Sequence, residues 1–230
     1  MLAIIDGDVL VYAAIWGTET LDESKQRLEE IISGVVENTF STDYLIAVGS
    51  DTNFRENFYD QYKKSPSRVK AKQNKATYLN DLKQWLREQP NSVTSHGCEA
   101  DDLVRMWSIE AENASIPYTI ITIDKDLDCI PGHHYNPVKD YYYNITEEEA
   151  DKHYWKQVLM GDSVDNIPGL PGIGEVKAIR ILSKCKDSNE RKQAVIEAYK
   201  DIYKDNWKDY LLANGRLIHI WRKEHDYFHI

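Results

Sequence analysis

The chain has 230 residues, 42% of them hydrophobic and 29% charged, with a formal net charge of −10. That length supports one domain, or one domain with an appendage, and the composition is that of an ordinary globular protein. Three cysteines (Cys98, Cys129 and Cys185), none in a C-x-x-C pair, exclude a disulfide framework and a cysteine zinc site.

The first elements read as short buried strands: "LAIID" at 2–6, "DYLIAVG" at 43–49 and "YTIITID" at 118–124. Between the first two, Leu21, Leu28, Ile31, Ile32, Val35 and Val36 recur at helical intervals. Residues 76–88 and 99–114 also read as helices. Strands alternating with helices predict an α/β fold, with a mainly parallel sheet covered by helices on both faces. From Gln61 to Asn80 the chain carries Lys63, Lys64, Arg68, Lys70, Lys72 and Lys75 and no acid. With Ser65-Pro66-Ser67 inside it, this basic stretch predicts a mobile loop or arch over about residues 55–80.

After Pro131 the pattern changes. Thr146 and Glu149 stand at capping-box spacing, which predicts a helix starting near residue 147. The stretch "GDSVDNIPGLPGIG" at 161–174 interrupts it, and residues 175–184 read as a second helix. Helical composition continues to about residue 213, with Trp207 and Tyr210 as expected anchors. The expected division is therefore an α/β core over 1–140 and a helical region over 141–230, the two packed as one catalytic unit. No apolar run approaches the ~20 residues of a membrane span. Asp6 arrives too early for a secretory leader, so a reducing cytoplasm is the expected compartment.

The acids are patterned. Asp6 ends the first strand, Asp51 lies just beyond the second, and Asp124 ends the third. The carboxyl ends of parallel strands share one edge, where ligands bind. "CEADD" adds Glu99, Asp101 and Asp102 at a helix start, and "DKDLD" adds Asp126 and Asp128 in the following loop. Carboxylates crowded a few ångströms apart cannot all stay ionised unless cations neutralise them. Mg²⁺ and Mn²⁺ favour hard oxygen ligands, and a pair of such ions serves phosphodiester hydrolysis. Without these acids and Asp8, Asp162 and Asp165, eleven in all, the formal balance would be +1. Each cluster alone could instead be a strand end, a helix N-terminus or a surface turn.

Gly172-Ile173-Gly174 ahead of a helix offers backbone N–H groups to a phosphate. It is no Walker loop, because Glu175-Val176-Lys177 follows. An ordinary interhelical turn remains the plain alternative.

"IIDGDVLVYAA", "CEADDLV", "TIDKDLD" and "MGDSVDNIPGLPGIGEVKAIRIL", in that order, resemble the 5′-nuclease family of flap endonucleases and 5′→3′ exonucleases. Short phage-encoded exonucleases look most similar. The resemblance implies a PIN-like, Rossmann-like core, a helical arch, and a C-terminal helical region with a helix–three-turn–helix motif. It implies Asp6, Glu99, Asp101 and Asp124 as ligands of a first metal, with Asp51 close to it and Asp102 also counted among the metal residues. Asp126, Asp162 and Asp165 would serve a second, partly through water. Two Mg²⁺ or Mn²⁺ ions are thus expected, and K⁺ at the three-turn motif.

Lys63 matches a lysine that stabilises charge at the scissile phosphate, so Lys63, Asp6 and Asp124 form the expected catalytic set. Tyr12 matches a tyrosine stacking near the cut. Lys64, Arg68, Lys70 and Lys72 would track single strand in the arch, while Gly172, Gly174 and Lys177 would hold duplex backbone. Ala13 stands where many members carry arginine, and "YKKSPSR" widens the lysine–arginine gap.

The expected function is a metal-dependent 5′→3′ exonuclease or 5′-flap endonuclease of DNA replication, leaving 5′-phosphates. It would act as a monomer on duplex with a 5′ end or flap, extending to RNA–DNA hybrid. A non-catalytic duplex-binding module and a PIN-type ribonuclease are the alternatives. Zinc deaminase chemistry fits worse, since His96-Gly97-Cys98-Glu99 has no partnering P-C-x-x-C.

Overall fold

The computed structural model describes residues 1–66 and 77–230, and its packing divides the chain into two units. The first comprises Met1–Asn53, Lys75–Ile145 and Ile220–Glu224. The second comprises Phe54–Asn74, Thr146–His219 and His225–Ile230. This grouping is not a single cut at residue 140. The strand that follows that position stays with the sheet, and the described residues 54–66 pack with the later helices.

The first unit is built on six strands: β1 (Leu2–Asp6), β2 (Asp43–Val48), β3 (Ser92–Thr94), β4 (Tyr118–Ile121), β5 (Gly132–Asn136) and β6 (Tyr141–Ile145). Their spatial order is β3-β2-β1-β4-β5-β6. The first five run parallel, and β6 returns antiparallel to β5. Helices α1 (Gly7–Ile15) and α2 (Leu21–Asn38) join β1 to β2. Helix α3 (Leu79–Arg87) precedes β3, and α4 (Ala100–Asn113) joins β3 to β4.

Alternation along β1 sends Ala3 and Ile5 to the face covered by α1, α2 and α3, where Leu10, Leu28 and Leu82 are buried. Ile4 points the other way, against Ala100 and Val104 of α4. Both faces of the sheet are therefore covered, as the sequence predicts, and each fully buried Ile or Leu contributes roughly 1.5–3 kcal/mol. The chain moves outward from β1 on one side, then restarts at β4 on the other. The carboxyl ends of β1 and β4 thus flank the topological switch point, the usual ligand crevice of such sheets.

Gly7 is required where β1 turns into α1. A Cβ there would stand 2.8 Å from the Ala47 carbonyl oxygen and 2.6 Å from Ile46 Cγ2. The "DG" step lets α1 start directly at the strand end, so Asp6 stays at the sheet edge.

The second unit contains α5 (Glu147–Met160), α6 (Glu175–Leu182), α7 (Ser188–Tyr203) and α8 (Trp207–Ile218). The capping box forms as predicted. Thr146 Oγ1 accepts from Glu149 N–H at 3.2 Å, and Glu149 accepts from Thr146 N–H at 2.9 Å. Val158, Leu159, Leu182, Val195 and Leu217 fill the core, joined by Tyr62 from the segment after β2. Arg55 is buried here, its guanidinium donating to the carbonyls of Leu217 (3.0 Å) and His219 (2.7 Å). No helix among the described residues is long and apolar enough to cross a membrane.

Candidate active site

In the first unit the sheet edge gathers the acids. Asp6 ends β1 only 2% exposed, and its Oδ2 accepts from Thr122 Oγ1 at 3.1 Å. Burial, then the charges of Asp8 and Asp124, push its carboxyl up to about 7, against hydrogen bonds from the Thr122 hydroxyl and the Val9 backbone N–H. A buried carboxylate with its pKa raised beside two further carboxylates is what a cation would relieve.

Asp124 is exposed and caps the short 3-10 turn Lys125–Cys129, accepting from Asp126 N–H at 2.9 Å. Thr122 Oγ1 also accepts from Asp124 N–H at 3.0 Å, so this one hydroxyl bridges the two acids. Asp128 accepts from the Tyr143 hydroxyl at 3.2 Å.

Helix α4 starts at the same edge because Ser95 ties it there. Ser95 N–H donates to the Val48 carbonyl at the end of β2, and its hydroxyl donates to the Cys98 carbonyl at 2.7 Å. Glu99 is the N-cap, and Asp101 lies in the first turn. Burial pushes the Cys129 thiol up to about 12; Arg105 acts against this, while Asp101 and Asp126 add to it.

Two of the expected metal residues already have other partners. Asp51 is exposed, its carboxylate 3.6 Å from Arg87 Nη2. Asp102 is completely buried, and both of its oxygens accept backbone N–H groups, from Glu99 at 2.8 Å and from Trp221 at 2.8 Å. The structure thus gives Asp102 a capping task instead of the open carboxylate expected of a ligand.

Sequence reasoning missed the cations on α3. Lys83 Nζ lies 2.9 Å from Asp8 Oδ1, and Arg87 donates to the Gly49 carbonyl at 2.6 Å. Their i, i+4 spacing was the available signal. Thr122 gave none. Among the described residues, no three His, Cys, Asp or Glu side chains close around a point as a ready-made cage. The open rim suits an ion that keeps several waters and takes one or two carboxylates.

The second unit holds the other motif residues. Gly161 and Gly169 lie back to back at positive φ. A Cβ on Gly161 would meet the Ile167 carbonyl oxygen at 2.2 Å, and one on Gly169 the Gly161 nitrogen at 2.3 Å. The hairpin between them is closed by paired hydrogen bonds of Asp162 with Ile167, at 2.9 and 2.7 Å. Asp162 Oδ1 accepts from Val164 N–H (2.6 Å) and Asp165 N–H (3.1 Å).

Residues 61–65 clip onto this hairpin. Lys63 N–H donates to the Asp165 carbonyl at 2.8 Å, Ser65 Oγ to the Val164 carbonyl at 2.8 Å, and Asn166 Nδ2 to the Gln61 carbonyl at 2.8 Å. Lys63 Nζ is 3.6 Å from Asp165 Oδ2, and Lys64 Nζ donates to the Asp60 carbonyl. Past the hairpin, Gly172 turns at φ 72, and Lys177 Nζ donates to its carbonyl at 2.7 Å. Gly174 caps α6 without a side-chain hydrogen bond. Tyr12, on α1 of the first unit, is 47% exposed. Arg68, Lys70 and Lys72 lie outside the described residues, as do residues 67–76 of the expected arch.

Comparisons with known proteins bear on the family and the fold. The chain is 29% identical over 203 residues to a 5′-3′ exonuclease of Aquifex aeolicus, covering 80% of this chain and 69% of that one. It is 28% identical over 195 residues to flap endonuclease Xni of Shewanella sp., covering 78% and 73%. It also matches DNA polymerase I of Rhizobium leguminosarum at 28% identity over 72% of this chain, and spans only 17% of that longer protein. The fold matches that of the T5 5′-exonuclease with bound zinc ions, with a TM-score of 0.67 and 17% identity, over 94% of this chain and 88% of that one. Residues 1–157 match the family model described as the 5′-3′ exonuclease N-terminal resolvase-like domain, and the chain belongs to that family.

Proposed function

We propose that the protein is a divalent-metal-dependent 5′ nuclease acting on DNA with a free or flapped 5′ end. The observation that carries this reading is Asp6, an almost fully buried carboxylate at the switch point of the sheet with the charges of Asp8 and Asp124 beside it. The surrounding set is carboxylate and hydroxyl oxygen, which fits Mg²⁺ or Mn²⁺. Asp6, Asp124, Glu99 and Asp101 would hold the first ion, with Asp51 close by. Asp126, Asp162 and Asp165 are assigned to the second through the family motifs. A divalent cation held by these carboxylates would supply a more acidic water and offset charge on the phosphodiester.

The remaining roles fall to the chain itself. Lys63 would stabilise the charge developing on the scissile phosphate. Its backbone is fixed to the Asp165 hairpin, so its ammonium is held in place before substrate arrives. Tyr12 would stack on a base near the cut. The turn at Gly172 and Gly174, with Lys177, would act as a helix–three-turn–helix on duplex backbone, with K⁺ as its ion. Lys64, Arg68, Lys70 and Lys72 would contact single-stranded phosphates. RNA–DNA hybrid as a further substrate, a monomeric state and a cytoplasmic site of action belong to the same reading.

Titration of Mn²⁺ into the DNA-free protein tests the metal assignment. Wild type should take up the ion with release of protons near pH 7, and Asp6→Asn should abolish uptake at that site. Equal uptake by the variant would remove Asp6 from the ligand set.

A further inference from the structure

The pattern "CEADD" offers three carboxylates within four residues, yet the structure treats them unlike one another. Glu99 and Asp102 form a capping box made of two acids. The Glu99 side chain accepts the N–H of Asp102, and Asp102 Oδ2 accepts the N–H of Glu99 at 2.8 Å. Serine and threonine lead at N-caps, and glutamate is not a preferred choice. Fixing the Glu99 backbone through Asp102 compensates for that.

Asp102 Oδ1 turns the other way and accepts Trp221 N–H at 2.8 Å. Trp221 belongs to Ile220–Glu224, a short segment grouped with the first unit although both chain neighbours belong to the second. Ile220 packs against the cluster of Ala100 and Val104 on the same helix, and Trp221 is 3% exposed. Asp6 supplies the contrast. Both acids are buried, but Asp6 has the charges of Asp8 and Asp124 beside it, whereas both Asp102 oxygens are taken by main-chain donors.

We propose that Asp102 is the positioning residue of the acidic rim, fixing Glu99 and Asp101 by bridging the backbone of Glu99 to that of Trp221 without ligating a cation. Residues 220–224 are then a working part of the site, although they lie about 120 residues away in sequence. The metal-holding half of this statement rests on the proposed nuclease reading; the bridging half does not.

Two measurements separate the roles. Amide hydrogen exchange on the metal-free protein reads the bridge directly. Asp102→Asn presents one carbonyl oxygen and one amide group to two N–H donors, so exchange at Glu99 or Trp221 should accelerate at least tenfold. Trp221→Phe keeps the donor and should leave Glu99 within threefold of wild type. Unchanged exchange at both amides in Asp102→Asn would overturn the bridge.

Mn²⁺ titration then reads its consequence. Partners of ligating side chains typically cost 10–100-fold in affinity when removed. Trp221→Pro, which removes the N–H donor to Asp102 together with the buried indole, should weaken Mn²⁺ about as much as Asp102→Asn, while Trp221→Phe, which keeps the donor, should bind as wild type does. The double variant should be no worse than either single one. Loss of one bound Mn²⁺ in Asp102→Asn, with Trp221→Pro binding as wild type does, would make Asp102 a ligand and overturn the proposal. Should Trp221→Pro fail to fold by circular dichroism, amide exchange in Asp102→Asn decides alone. If wild type binds no Mn²⁺ at all, the nuclease reading fails while the bridge is still judged by exchange.

Discussion

Lys63 and Asp165 are joined twice: Lys63 N–H donates to the Asp165 carbonyl at 2.8 Å, and Lys63 Nζ lies 3.6 Å from Asp165 Oδ2. The lysine takes a left-handed backbone, φ 56, to make both contacts. Two motifs about 100 residues apart, "YKKS" and "GDSVDN", thereby become one constellation in the second unit. Lys63→Ala should lower the rate of cleavage by about 10²–10³-fold. Affinity for uncut DNA should stay within threefold. Single-turnover cleavage and a binding titration in Ca²⁺ check both, and equal losses in rate and affinity would reduce Lys63 to a phosphate contact.

A second prediction concerns pH. The Asp6 carboxyl is raised from 3.8 to about 7, mainly by burial. The folded protein therefore holds this proton more tightly than the unfolded chain. The resulting stability is fully present below about pH 4 and is lost as pH rises through 7, by on the order of a few kcal/mol. Asp6→Asn keeps an acceptor for Thr122 and carries no charge. In EDTA at pH 8 it should melt about 5–10 °C above wild type, and near pH 4 the difference should vanish, while cleavage is lost at every pH. Melting curves at the two pH values are the check; a variant less stable than wild type at pH 8 would show that Asp6 is not strained in the metal-free protein.

The hairpin carrying Asp162 and Asp165 depends on two glycines. Gly161 and Gly169 both have positive φ, and a Cβ on either would lie within 2.3 Å of the other's strand backbone. Backbone atoms cannot yield as a flexible side chain would. Gly169→Ala should therefore cost at least about 2 kcal/mol, read from the denaturant midpoint. Gly97→Ala, also at positive φ but with no atom within 4 Å of the added Cβ, should cost less.

Much of the fold was legible because β1, β2 and β4 are short, largely apolar runs, and because α2 and α5 carry spaced apolar residues and N-caps. The hairpin of β5 and β6 was not. "GHHYN" and "YYYNI" are polar and aromatic by type, and nothing in them announces that His134 and Tyr135 would be buried. Helix α1 was also missed, since "GDVLVYAAI" continues the apolar run of β1, and its helical start depends on Gly7 fitting against β2.

At the rim, the acids could be found because their residue type and order carry the chemistry. The task of Asp102 could not, since a capping aspartate and a ligating one are the same letter in the same pentapeptide. Lys83 is one of 28 cations until α3 turns it toward Asp8.

The most direct test of the central claim uses end-labelled duplexes bearing a 5′ flap, a 3′ flap or blunt ends, each incubated with Mg²⁺ or with EDTA. Products are sized on a denaturing gel. Mg²⁺-dependent release from the 5′ side is expected, with the 3′ flap intact and no cleavage in EDTA. DNA that is bound but uncut in Mg²⁺, or cut equally in EDTA, would contradict it.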